Sequence, residues 1–289
     1  MTTHDSVSET DMAKVESKVK PPFMDLVLQR LLRFVCIKPT PEYQGENKET
    51  QFPYRRTQAL IFLERFGDRV SFKDKRVLDF GCGYGSMSVV VAEQGAKRVV
   101  GIDTDDERVN FAKYKLRTEF KHFSDRIEFA VPNEFKHETF DLVISEDCFE
   151  HYEDPVAIMK QISTMLGPNG KVIIGFSCLW KSPGGGHIGC MTKLPWAHLV
   201  FPERVIMRER KRYRPDENAR CFSEIRGGLN KMTYDKFLNT MEESGYEIES
   251  LATNVSKSKL VPIANLIRKI PFCFEYFTKN LYAVVGRAR

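Results

Sequence analysis

The chain has 289 residues, of which 42% are apolar and 29% charged, and its net charge is +5. These proportions are typical of an ordinary globular protein. The polar N-terminus lacks the apolar core of a signal peptide, and no stretch approaches the ~18 apolar residues that would span a bilayer. The seven cysteines form no C-x-x-C pair, which favours reduced thiols over a zinc cluster. We therefore expect a cytoplasmic protein without a transmembrane segment.

The positive charge is concentrated in one part of the chain. Residues 179–232 contain 11 Lys or Arg and 5 Asp or Glu, whereas the rest of the chain has a net charge of −1. The densest run includes Arg208, Arg210, Lys211 and Arg212. This run is either a solvated helix face or a surface that meets an anionic group of a substrate, or a membrane.

The N-terminal part divides into a polar tail and a helical segment. Residues 1–20 have the composition of a disordered tail. Residues 21–74 contain two stretches with helical periodicity, at 23–37 and 54–66.

From residue 75 the pattern alternates between strands and helices up to residue 177. Short apolar strands are predicted at 76–80, 98–103, 126–131, 140–145 and 171–176, with helices between several of them. This alternation predicts a mostly parallel sheet with right-handed crossovers.

The alternation stops at residue 178 and resumes at residue 233. A structureless loop of that length is improbable, so residues 178–232 are predicted to be an insertion that forms a substrate lid. Residues 233–289 complete the core with a helix, helical residues around 260–277, and strands at 246–251 and 281–286. The predicted fold class is α/β: a Rossmann-like, doubly wound, mostly parallel seven-stranded sheet with a lid insertion after strand 5.

The most informative motif is VLDFGCGYG at 77–85, which joins a strand end, three glycines and a helix start. Glycines there let a ligand approach the backbone, and Asp103, at the next strand end, suits the hydroxyls of a ribose. A dinucleotide-binding domain is the competing interpretation. Its fingerprint requires Gly or Ala at the sixth place, where this chain has Ser86, so a ligand without a pyrophosphate is favoured.

The chain resembles the class I S-adenosylmethionine (SAM)-dependent methyltransferases, particularly their type 11 group. The likeness is carried by VLDFGCGYG (77–85), VVGIDTD (99–105), FDLVISEDCFEHYEDP (140–155) and LGPNGKVIIGF (166–176). The resemblance implies SAM as cofactor. It also implies cofactor contacts from Asp79, Gly81, Gly83, Gly85, Asp103, Asn133, Ser145 and Glu146.

The resemblance leaves a metal site open. Asp147, Glu150 and His151 are similar to an acidic-x-x-Glu-His cluster that holds a divalent ion in some O-methyltransferases. Asp147 stands where those enzymes have a longer Glu, so we expect no metal.

Two histidines are candidate general bases. His187 lies in a glycine-rich stretch of the insertion and is the first candidate, with His151 as the second. Trp180, Trp196 and His198 either line the pocket or pack the lid.

The expected reaction is O-methylation of a hydroxylated small molecule, sugar or lipid-linked metabolite. The end of the fourth strand lacks the (Asp/Asn)-Pro-Pro-(Tyr/Phe) motif of amino-group methylation on adenine or glutamine. No RNA-binding appendage is recognisable, so nucleic acid is not the expected acceptor. A macromolecule docked by the basic insertion, and a non-catalytic protein of this fold, remain the alternatives.

Overall fold

The structure is a computed structural model that describes residues 22–38, 47–255 and 261–288. The tail predicted for residues 1–20 lies outside these ranges.

Seven strands form one sheet in the order β3-β2-β1-β4-β5-β7-β6. They are β1 Arg76–Phe80, β2 Arg98–Ile102, β3 Ile127–Ala130, β4 Phe140–Glu146, β5 Leu166–Ser177, β6 Tyr246–Thr253 and β7 Asn280–Arg287. The first five are parallel, and β7 runs antiparallel to both of its neighbours. This confirms the predicted seven-stranded, mostly parallel sheet. The strand order reverses direction between β1 and β4, which is where ligands bind in doubly wound folds.

The helices of the described residues fall mainly where the periodicity predicts them. They are α1 Phe23–Phe34, α2 Lys48–Glu64, α3 Ser86–Glu93, α4 Asp106–Thr118, α5 Pro155–Met165, α6 Ala197–Val200, α7 Glu203–Arg210, α8 Tyr234–Glu243 and α9 Val261–Ile267. None of these described helices is both long and apolar enough to cross a bilayer.

Several helices begin at a side-chain cap. Asp154 accepts a hydrogen bond from the amide of Ala157, and Thr233 accepts one from the amide of Lys236, as the sequence indicates. α2 begins a turn and a half before the predicted residue 54, because Asn47 caps it and Pro53 is accommodated inside the helix. The helical residues predicted around 260–277 contain one short helix, α9, followed by turns near Pro271.

Successive strand residues point to opposite faces of the sheet and build two apolar layers. Val77, Val99 and Ile173 belong to the layer covered by α2, α3 and α4. Their neighbours Leu78 and Val100 belong to the layer that includes residues of α5 and α8. The sheet is therefore covered on both sides, as a parallel sheet requires.

Residues 178–232, called the insertion below, contain α6, α7 and an apolar cluster of their own. Val205, Ile206 and Phe222 are buried in this cluster together with Leu32 of α1. The two N-terminal helices therefore separate: α1 packs on the insertion, whereas Phe62 of α2 packs in the core of the sheet domain.

The close approach of α2 to the sheet generates a stability prediction. A Cβ atom added at Gly175 would lie 2.5 Å from ring atoms of both Phe62 and Tyr282. We expect Gly175→Ala to lower the free energy of unfolding by about 1–3 kcal/mol, since overpacking forces these rings to shift. Urea unfolding followed by circular dichroism measures the change.

The matched control is Gly189→Ala, because a Cβ atom there meets nothing within 4 Å. It should change stability by less than about 0.5 kcal/mol. Equal stability of the two variants would contradict the packing of α2 described here.

Candidate active site

A cavity of about 990 Å³ opens at the carboxyl ends of β1, β2 and β4. Asp79, Gly81, Asp103 and Glu146 line it from the sheet side. The insertion supplies the opposite wall, whose charged and polar side chains are His187, Arg210, Arg214, Glu217 and Arg226. The cavity is large enough for a nucleoside cofactor and a small acceptor together.

The carboxylate of Asp103 ties together the loops that follow β1 and β2. Its Oδ2 accepts a hydrogen bond from the amide of Gly83 at 2.8 Å, and its Oδ1 accepts one from the amide of Asp105 at 2.9 Å. Gly83 has a φ of +52° and lines the cavity, and a Cβ atom there would meet nothing within 4 Å. The glycine loop thus leaves open space beside its backbone, which fits the close approach of a cofactor.

Gly85 has a different role from the one that the motif implies. It is absent from the cavity lining of the described residues, and its φ is +82° at the start of α3. A Cβ atom there would lie 2.6 Å from the ring of Phe129. Gly85 therefore permits helix-to-sheet packing, and its contact with the cofactor stays a prediction.

Two carboxyl groups line the floor of the cavity. Burial raises the pKa of Asp79 to about 7, although the hydroxyl of Ser88 donates to its Oδ2 at 2.6 Å. Desolvation, with the neighbouring charges of Asp147 and Asp79, raises the pKa of Glu146 to about 8. A cationic group bound beside them would favour their ionised forms.

Ser145 and Asn133 are not brought to the cavity. Ser145 is buried and its hydroxyl shares a hydrogen bond of 2.8 Å with the hydroxyl of Tyr152. Asn133 is exposed, and Pro132 and Phe135 on either side of it line the cavity instead. Ser145 in β4 and Asn133 in a turn are therefore both directed away from the cavity.

The two candidate bases lie together. The rings of His151 and His187 are 5.4 Å apart between centroids, and both line the cavity. Nδ1 of His151 lies 2.6 Å from the carbonyl oxygen of Gly228 in the insertion. Because a carbonyl only accepts, Nδ1 carries a proton, and in the neutral ring the lone pair is on Nε2.

The protonation of His187 is governed by its burial. Burial, with His151 close by, lowers the pKa of His187 to about 4. Its backbone has a φ of +49°, a strained conformation that occurs most often at functional sites.

The three residues that left a metal site open, Asp147, Glu150 and His151, are not grouped as metal ligands in the described part of the chain. Glu150 is buried, and that burial raises its pKa well above the usual range, while the exposed Asp147 faces Arg55 at 3.8 Å. In the described ranges, no three His, Cys, Asp or Glu side chains are arranged to hold a metal ion.

The basic run at the end of α7 and just beyond it is divided between the cavity wall and the outer surface. Arg210 reaches the cavity, forms an ion pair with Glu217 at 2.8 Å and contacts the carbonyl oxygen of His187 at 3.5 Å. Arg208 faces Asp25 of α1 at 3.7 Å, and Arg212 pairs with Glu209. Lys211 is exposed outside the cavity. Of these four residues Arg210 alone lines the cavity, and contact of the run with an anionic group stays a prediction.

Sequence reasoning missed two arginines of the cavity wall, Arg55 and Arg226, which lie in no recognisable motif. Arg214, which also lines the cavity, belongs to the basic run of the sequence. The aromatic residues of the insertion do not line the cavity. Trp180 packs against His198 and Phe222, and Trp196 packs against Phe277.

Comparison with known proteins identifies the family. A family model described as a methyltransferase domain matches residues 53–251. The chain belongs to this family. This confirms the superfamily inferred from the motifs, that of the class I SAM-dependent methyltransferases.

The named relatives match only part of this chain. Phosphoethanolamine N-methyltransferase 1 of Triticum aestivum is 31% identical over 132 residues, which are 45% of this chain and 26% of that protein. A ubiquinone biosynthesis O-methyltransferase of Colwellia psychrerythraea is 36% identical over 124 residues, 42% of this chain and 48% of the relative. The matches thus span a quarter to a half of these relatives.

A solved structure shares the fold. It is a SAM-dependent methyltransferase of Mesorhizobium loti with a TM-score of 0.51 and 16% identity, covering 80% of this chain and 96% of that one.

The position of Asp103 generates a binding prediction. We propose that its carboxylate accepts hydrogen bonds from the ribose hydroxyls of SAM. We expect Asp103→Ala to weaken the binding of SAM and of S-adenosylhomocysteine by about 2–4 kcal/mol, or about 30-fold to 1000-fold. Calorimetric titration measures both affinities.

Asp106→Ala is the matched control, because this exposed acid in α4 lies outside the cavity. It should bind both ligands as the unaltered protein does. Undiminished binding by Asp103→Ala, in a protein with an unchanged melting temperature, would disprove the assignment.

Proposed function

We propose that the enzyme methylates a hydroxyl oxygen of a small acceptor that carries an anionic group, with His151 as the general base. The observation that carries this proposal is the 2.6 Å hydrogen bond between Nδ1 of His151 and the carbonyl oxygen of Gly228. It orients the ring and leaves Nε2 able to take a proton from the acceptor.

His151 is a stronger candidate than His187, which sequence reasoning placed first. Although His187 is neutral at physiological pH, a pKa of about 4 makes it a poor proton acceptor. The ring of His187 lies next to that of His151, so we assign His187 to the positioning of the acceptor.

SAM supplies an electrophilic methyl group when it is bound. Asp79, Gly81, Gly83 and Glu146 line the part of the cavity near the glycine loop, where they would hold the cofactor. The protein's task is then to align the acceptor oxygen with that methyl group, to take up its proton and to exclude water.

The charge of the opposite wall supports an anionic acceptor. Arg210, Arg214 and Arg226 line the insertion side, and Glu217 is the acid among them. Arg226 lies two residues before Gly228, whose carbonyl orients His151, and Arg210 contacts the backbone of His187. Guanidinium groups in the same cavity as the candidate base suit a phosphate or carboxylate. One relative is named for phosphoethanolamine, which carries a phosphate.

The role of His151 is tested by substitution. We expect His151→Gln to lower kcat about 100-fold or more while the Kd for SAM stays unchanged, since Gln cannot take up the proton. Methyl transfer from radiolabelled SAM is measured with a hydroxybenzoate, a hexose phosphate and phosphoethanolamine as acceptors.

His187→Gln is the comparison variant and should lower kcat less. A larger loss in His187→Gln than in His151→Gln would reverse the assignment. Methyl transfer to the nitrogen of phosphoethanolamine alone would show that the acceptor is an amine.

The anionic-acceptor proposal is tested by removing one cavity cation. We expect Arg226→Gln to raise KM for a phosphate- or carboxylate-bearing acceptor about tenfold or more, because a charge-assisted hydrogen bond is lost. The Kd for SAM should not change. Arg220→Gln, in the same insertion but outside the cavity and paired with Glu224, is the control. An equal effect of both variants would exclude a specific role for Arg226.

A further inference from the structure

The outer face of α1 is apolar. Phe34 is 91% exposed and Phe23 is 80% exposed, and the helical period places Arg30 between them on the same face. The side of α1 that faces the protein is held by ion pairs. Arg204 donates to Asp25 at 2.7 and 2.9 Å, and Arg33 pairs with Glu209 at 2.8 Å. Apolar side chains therefore lie on both sides of α1: Leu32 is buried, Leu28 and Val35 pack against the apolar cluster of the insertion, and the outer face stays exposed.

A second group of large apolar side chains is exposed near the C-terminus. Ile263, Leu266 and Ile270 are more than half exposed, in and just after α9. Phe272 is 95% exposed and has a φ of +67°, a conformation that is strained for a bulky residue. The backbone thus holds an aromatic ring in water at a cost to stability.

Residues 192–200 connect the two groups. The amide of Ile37 donates to the carbonyl of Met191 at 2.8 Å, and Cys36 forms a bridge with Thr192. At the other end of this stretch, the ring of Trp196 packs 5.3 Å from that of Phe277. Leu194, Leu199 and Val200 are exposed along it. We call residues 22–38, 192–200 and 261–279 together the apolar surface.

All charges that the apolar surface exposes are positive. Its two acids, Asp25 and Glu275, are buried and paired with Arg204 and Lys181. Its cations are partly or fully exposed: Arg30, Arg33, Lys38, Lys193, Arg268, Lys269 and Lys279.

We propose that the apolar surface docks on an anionic phospholipid bilayer. Exposed aromatic and aliphatic side chains flanked by cations are the pattern of proteins that insert shallowly into the headgroup region. A second copy of this chain fits less well, since a symmetric dimer through this surface would bring the same cations face to face.

Docking of the apolar surface on a bilayer would act on the insertion, which also forms one wall of the cavity. Arg204 and Glu209 of α7 hold α1, and Arg210 of the same helix lines the cavity. The apolar surface and the acceptor wall are therefore two sides of one packed unit.

Vesicle co-sedimentation of the full chain tests the proposal. The probes are vesicles of phosphatidylcholine alone and of phosphatidylcholine mixed equally with phosphatidylglycerol. We expect binding to the mixed vesicles that weakens with added salt. The double variant Phe34→Ser/Phe272→Ser should lose at least about tenfold in affinity for the mixed vesicles, because two apolar side chains no longer enter the bilayer.

The control is Leu60→Ser/Tyr114→Ser, which removes two side chains that are 48% and 49% exposed outside the apolar surface. It should bind as the unaltered protein does, and both double variants should keep their affinity for SAM. Three results would overturn the proposal: no binding to mixed vesicles, equal binding to neutral vesicles, or loss of binding in the control as well. Sedimentation equilibrium showing a dimer that only Phe34→Ser/Phe272→Ser dissociates would assign the surface to a second copy instead.

Discussion

The active site depends first on the pair of backbone hydrogen bonds that Asp103 accepts. A carboxylate at the end of β2 holds the amides of Gly83 and Asp105, so the loops after β1 and β2 have a fixed separation. Those loops lie where the strand order of the sheet reverses, and the crevice opens between them. The same carboxylate is therefore both a structural tie and the group available to a ribose.

A second tie joins the sheet domain to the insertion. The turn at Phe149–His151 follows β4, and its groups meet the segment at Gly228 and Asn230. Nδ1 of His151 donates to the carbonyl of Gly228, and the side-chain amide of Asn230 donates to the carbonyls of Phe149 and Tyr152 at 2.8 and 2.9 Å. These contacts fix the insertion against the turn that carries the candidate base. The orientation of that base and the position of the arginine wall are thus set by one interface.

The insertion is itself built on ion pairs that are partly buried. Glu209 is fully buried and is neutralised by Arg33 and Arg212, with Gln29 adding a hydrogen bond at 3.1 Å. Removing one partner from such a cluster would leave an uncompensated charge, which is strongly destabilising. These pairs, together with the burial of Leu32 in the apolar cluster of the insertion, explain why a helix with an apolar outer face stays attached to the protein.

The sequence by itself determined the sheet, most helix starts and the part of the site that lies next to the glycine loop. Period-two strands, caps such as Asp154 and Thr233, and the spacing from Gly81 to Asp103 are local signals, because each acts over a few residues or one βαβ unit. Asp79, Gly81, Gly83 and Glu146 consequently line the cavity as expected, together with both histidines.

Only the tertiary structure decided which side chains outside the glycine-loop region face the cavity. Gly85 contacts Phe129, Ser145 bonds to Tyr152, and Asn133 turns to solvent, since each orientation depends on neighbours distant in sequence. The arginine wall likewise required the fold of the insertion, which brings Arg226 into the same cavity as His151, 75 residues away in the chain. Composition located the positive charge in residues 179–232. Arg208 and Arg212 are paired with buried acids, so Arg210 reaches the site and these two residues do not.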